Sequence, residues 1–87
     1  MSKHLHVGDT DLGEIESRRT LPGFKAWLTT RSDGWWFVAV QQDSTMRTAF
    51  VGFLREEKHP EAAARDVFAG LTPDKASKIL RGEGYDA

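Results

Sequence analysis

Two histidines one residue apart, His4 and His6, are the first side chains in the chain with the chemistry of a metal ligand. On a strand that spacing puts both imidazoles on one side, as a pair of nitrogen ligands requires. The nearest carboxylates are Asp9 and Asp11. The pair stands close to Met1, in a stretch where chains usually fray, so a solvated start is expected and no metal ligand is assigned. Asp9, Asp11 and Glu14 repeat part of a calcium loop without its glycine and distal glutamate spacing. With Glu16 they make four carboxylates within eight residues, read as a solvated loop, the alternative being mimicry of nucleic-acid phosphates toward a basic partner. His59 directly precedes Pro60 at an expected helix start, which suits a surface or capping role.

Nucleophilic chemistry needs a nucleophile, a base and a group that orients the base. Serines and threonines are present, but no G-x-S-x-G, H-E-x-x-H or phosphate-loop pattern accompanies them. Gly8, Gly13 and Gly23 are too scattered to cradle a phosphate. The absence of cysteine removes disulfides, thiolate metal sites and thiol chemistry together. The expectation is a protein that is not an enzyme and carries no cofactor.

The elements that would position any site are those of one small domain spanning residues 1–87, with loose termini at 1–8 and 83–87. At 39 % hydrophobic and 29 % charged residues, the composition is that of a globular chain with one core. Residues 1–22 fit two descriptions. Asp9 or Thr10 would cap a short helix carrying Leu12 and Ile15, whereas Ile15, Ser17, Arg19 and Leu21 alternate like one side of a strand. Leu21-Pro22-Gly23 then marks a turn. Three runs follow at about 24–30, 35–42 and 47–54, separated by Ser32-Asp33-Gly34 and Gln42-Asp43-Ser44-Thr45. They predict a three-stranded antiparallel meander. Pro60 and Glu61 open a helix over about 60–70, with Ala63, Ala64, Val67, Phe68 and Leu71 on one stripe. Thr72-Pro73-Asp74 opens a second over about 73–81, ended by Arg81-Gly82. The fold class is α+β.

The informative feature is that both sides of the central run are apolar. Trp35, Phe37 and Ala39 share one side, and Trp36, Val38 and Val40 the other. A sheet open to water on one face alternates apolar with polar residues, and this one does not. One amphipathic helix covers one side only, so the second needs the N-terminal segment, the second helix or another molecule. If another molecule, Trp27 with Trp35 or Trp36 is the aromatic anchor, ringed by Arg31 and Arg47, and the partner is a second copy or another protein.

The order Gly34-Trp35-Trp36-Phe37-Val38-Ala39-Val40, Phe50-Val51-Gly52-Phe53, Pro60-Glu61-Ala62-Ala63-Ala64-Arg65 is similar in layout to the sheet-reading DNA-binding domains of the AP2 and integrase-arm type. That resemblance covers residues 24–71 and rests on element order. It implies a duplex read by the meander, with Lys25, Arg31, Arg47 and Arg55 as the available cations, and no functional residue is carried over from it. A net charge of −1 disfavours general nucleic-acid binding. The leading expectation is a non-enzymatic protein-binding module, an inhibitor or regulator of the kind phages and mobile elements encode, with DNA binding as the alternative. No apolar run reaches membrane-span length and no signal-peptide core is present, which makes the cytoplasm the expected location and a membrane role unexpected.

Overall fold

The computed structural model describes residues 3–53 and 59–82. It is an α+β fold in which five antiparallel strands precede two helices: β1 (His4–Val7), β2 (Thr10–Leu21), β3 (Phe24–Thr30), β4 (Trp36–Gln42), β5 (Thr48–Phe53), α1 (Pro60–Ala69) and α2 (Pro73–Leu80). Spatial order follows chain order, β1-β2-β3-β4-β5, so every strand pairs with its sequence neighbour. The expected meander is present as β3 to β5, and the two helices start where Pro60 and Pro73 place them. Trp35 lies just before β4, where its carbonyl accepts from the Arg31 N–H at 2.9 Å and closes the β3–β4 loop. The expected end of the third run at Leu54 and the expected loose tail 83–87 lie outside the described residues.

The correction concerns the N-terminus. A three-stranded sheet was expected; the segment before Pro22 adds a hairpin of two strands, and β1 falls within residues 1–8, expected to be loose. Two β-bulges in β2 explain why the residue pattern hid this. Against β1 the register slips between the pairs His4↔Glu14 and His6↔Asp11, and Gly13 in between takes φ +87°. Against β3 it slips again between Ile15↔Thr29 and Ser17↔Leu28. Each slip moves later side chains to the opposite face. Leu12 is therefore buried although it is out of phase with Ile15, and Ser17 and Ile15 face opposite ways although they alternate. Gly13 is obligatory here: a Cβ on it would lie 2.1 Å from the Thr30 carbonyl oxygen. The next turn is Pro22-Gly23, with Gly23 at φ +81°, as a type II turn demands after proline.

The bulges also curl the sheet, because each one bends its strand and increases local twist. Curling brings β1 back against β5, while the hydrogen-bonded order still ends at those two strands. This produces two cores. On the convex side both helices pack on Leu21, Phe24, Ala26, Leu28, Val38, Val40 and Phe53, contributing Ala64, Phe68, Leu71, Ala76 and Ile79 around them. On the concave side Leu12, Phe37 and Ala39 form a small inner core, surrounded by Leu5, Val7, Trp27, Trp35 and Phe50. The second apolar face is thus covered largely by the chain itself, its N-terminal hairpin folding over the tryptophan-rich strand.

Helix ends explain how α1 and α2 stay in place. α2 has Thr72 as N-cap, its hydroxyl accepting from the Lys75 N–H at 3.2 Å, and Pro73 and Asp74 in the first turn. α1 begins at His59-Pro60 without a side-chain cap. Its C-terminus is held from the sheet: the Arg19 guanidinium donates to the Phe68 carbonyl and, at 3.1 Å, to the Ala69 carbonyl. The same guanidinium lies 5.9 Å from the centroid of the Phe68 ring. A cation on the last carbonyls complements the helix dipole, so Arg19 clamps α1 to β2.

Candidate binding surface

Three side-chain groupings stand out once the curl is known. The first is the concave mouth. Trp35 stacks on Phe37 with ring centroids 5.6 Å apart, and Phe50 meets Phe37 edge-on at 5.7 Å. The pair crosses directly over Gly52, whose missing side chain leaves room for both rings: a Cβ there would stand 3.1 Å from each. Trp27 sits opposite Ala39 and Arg18 in the two flanking registers, so the exposed Arg18 guanidinium stem borders the half-buried indole. Leu5, Val7, Trp27, Trp35 and Phe50 all retain partial exposure around this mouth.

The second grouping closes one end of it. Arg31 lies 5.8 Å over the Trp35 ring and 5.6 Å over Phe37, a cation–π position on both. Its orientation is fixed by a two-pronged ion pair with Asp33 and by donation to the Asp11 carbonyl at 3.3 Å. The Asp33 partner raises the Arg31 pKa, and Arg31 in turn holds the Asp33 carboxyl below its ordinary value. Beyond Arg31 a groove of about 520 Å³ opens, lined by His4, Asp11, Gly13, Glu14, Thr30 and the 31–33 loop. Asp11 is anchored there: its Oδ1 accepts from the Gly13 N–H at 2.8 Å, the main reason its pKa lies below the usual carboxylate value. His4 Nδ1 and His6 Nε2 approach that same oxygen at 3.4 and 3.8 Å.

The third grouping is on the convex side. Trp36 packs against the main core, with the Arg65 guanidinium 5.3 Å from its ring and Glu61 bonded to Arg65 at 2.8 Å. The sequence-proposed set therefore divides. Trp27, Trp35 and Arg31 share the concave side, Trp36 is on the opposite face, and Arg47 is exposed in the β4–β5 turn. Of the described residues, the one large hydrophobic side chain that is mostly exposed is Met46, at 63 %, in that same turn with φ +60°.

Several contributors were not visible in the sequence. Leu12 was hidden by the Gly13 bulge, and Arg19 by having its partners 49 and 50 residues away. Phe50 was noted as an apolar strand residue, but only the curl brings it to Phe37. Among the described residues no three His, Asp or Glu side chains converge on a metal position in this conformation, and no helix is long and apolar enough to cross a membrane. No protein-family description, curated protein or solved structure matches the chain.

Proposed function

We propose that the chain is a small non-enzymatic protein-binding module that docks on a protein partner and blocks part of its surface, as an inhibitor or regulator does. One observation carries this reading: both helices pack on the convex side, while the concave mouth keeps five large apolar side chains partly exposed around only three buried ones. Partly exposed tryptophan bordered by arginine is the composition of interface anchors. Trp27 is the anchor, Arg18 its charged border, and Trp35 under Arg31 is a preordered wall that loses little side-chain freedom on binding.

The DNA-binding alternative draws less support. Arg31 is engaged by Asp33, and Lys25 lies 3.5 Å from Asp43, so two of its four expected cations already face carboxylates. Arg55 lies outside the described residues.

The experiment compares wild-type and Trp27→Ala chains as bait in native lysate, with thermal melting of both. Retained folding with loss of a captured protein supports the reading. Equal capture by both, or unfolding of the variant, removes Trp27 as anchor. A gel-shift titration at low salt, showing retention that falls steeply with added salt, would favour DNA instead.

A further inference from the structure

Resting on the docking reading above, we propose that the partner meets the concave mouth through an extended acidic segment. In it an apolar residue seats on Trp27 and a carboxylate two residues away pairs with Arg18. The strand registers place Arg18, Trp27, Ala39 and Phe50 in one row across the concave face, with Thr20, Lys25, Gln41 and Thr48 in the row beside it. Within the second row the Gln41 amide donates to the Thr48 hydroxyl at 3.3 Å. The two rows hold two cations and no carboxylate, although the chain as a whole has a net charge of −1.

The cations around the mouth are not equivalent. Arg31 is held by Asp33, and Lys25 lies 3.5 Å from Asp43 at the end of its row. Arg18 is exposed and has no ion pair among the described residues. It stands directly across the ladder from the half-buried Trp27, a separation of about 5 Å between Cβ atoms. Residues i and i+2 of an extended chain project to the same side, about 6.8 Å apart. An apolar residue on the indole and an acidic one two positions on therefore match the Trp27–Arg18 pair. A guanidinium selects a carboxylate because its planar fork of N–H groups donates to both oxygens. Thr20, Gln41 and Thr48 supply neutral donors and acceptors along the same face. A nucleic-acid strand fits less well, since it brings a succession of phosphates to a face with one uncommitted cation.

The test is selection of a random dodecapeptide phage library on the chain, then fluorescence-anisotropy titration of the enriched peptide, made synthetically. The titration compares wild type, Trp27→Ala, Arg18→Ala, Arg18→Lys and the control Arg65→Ala, each checked for folding by thermal melting; if Trp27→Ala unfolds, the Arg18 variants carry the test. Arg65 also borders a tryptophan, Trp36, but on the convex face and with Glu61 already bonded to it. The expected result is enrichment of Asp or Glu two positions from Phe, Trp or Leu. Affinity falls about 10-fold with Arg18→Ala, recovers in part with Arg18→Lys, weakens with added salt and is unchanged by Arg65→Ala. No enrichment, enrichment without acidic bias, or equal affinity of the folded Arg18→Ala variant overturns the proposal. Displacement of the peptide by a single-stranded oligothymidylate overturns it too, in favour of nucleic acid. If Trp27-dependent capture from lysate persists without acidic bias, the chemistry of the segment alone is refuted; if that capture is also absent, the docking reading falls with it.

Discussion

Replacing Gly13 with alanine isolates the contribution of one bulge to the whole fold. The backbone at Gly13 has φ +87°, and at Gly23 φ +81°, so alanine pays nearly the same conformational penalty at either position, about 1–2 kcal/mol. The surroundings differ. At Gly23 a new Cβ meets nothing within 4 Å, whereas at Gly13 it meets the Thr30 carbonyl oxygen at 2.1 Å and the Arg31 Cγ at 2.8 Å. The Arg31 stem has freedom to shift, but the Thr30 carbonyl belongs to the β2–β3 ladder, and relieving the clash means parting the strands by about 1 Å. The total for Gly13→Ala is about 3–5 kcal/mol, in the range of the severe single substitutions. In a chain of this length each kcal/mol lowers the melting temperature by roughly 4–8 °C. Gly23→Ala should then melt about 4–16 °C below wild type, and Gly13→Ala at least about 12 °C below it and clearly further than Gly23→Ala, or not fold. Thermal and urea unfolding followed by tryptophan emission measures both, since all three tryptophans are partly buried. Equal losses for the two variants would refute the close approach of β2 to β3 and with it the bulge as the cause of the curl.

Thr29 is completely buried on the concave side, and its hydroxyl has no hydrogen-bond partner, so Thr29→Val should stabilise the fold by about 1–2 kcal/mol in urea unfolding; destabilisation would mean that the hydroxyl is bonded. Arg19→Ala should cost about 1–2 kcal/mol and raise amide exchange in the last turn of α1, with Arg19→Lys recovering part of the loss; unchanged exchange there would show that the clamp does not hold the helix. Asp11 and Asp33 have folded pKa values below the ordinary carboxylate value of about 3.9. The unfolded chain therefore binds more protons in the acid range. The stability these groups provide is present above about pH 4 and is lost as pH falls through their folded values. Asp33→Asn should flatten the acid limb of a stability–pH curve, and an unaltered limb would argue that Arg31 leaves Asp33 unperturbed.

Residue patterns revealed the parts of the fold with regular periods. β3, β4 and β5 were marked by aromatic and β-branched runs between turn residues, and the helices by Pro60, Thr72 and their apolar stripes. β2 resisted because a bulge changes the phase of alternation without changing composition. Leu12, Ile15 and Ser17 follow neither a strand nor a helix period, although all three lie in one twelve-residue strand. The requirement that a second apolar face be covered was legible in Trp35 to Val40. The identity of the cover was not, because it depends on a hairpin turning back over the sheet. For the binding surface, side-chain type singled out Trp27, Trp35 and Arg31. Separating Trp36 from them needed the main core on the other face, and placing Arg18 beside Trp27 needed the β2–β3 register.

The strictly sequential strand order has a kinetic consequence. Each ladder joins neighbours through a short connection, so the sheet is able to zip hairpin by hairpin with small loop-closure entropy at every step. Among the contacts with no such local route are β1 meeting β5 across the curl and the Arg19 guanidinium reaching the far end of α1. Both join regions more than forty residues apart, so by the dependence of rate on contact separation they form after the meander. Destabilising either one should chiefly accelerate unfolding and leave the refolding rate nearly unchanged, the pattern of contacts made after the transition state.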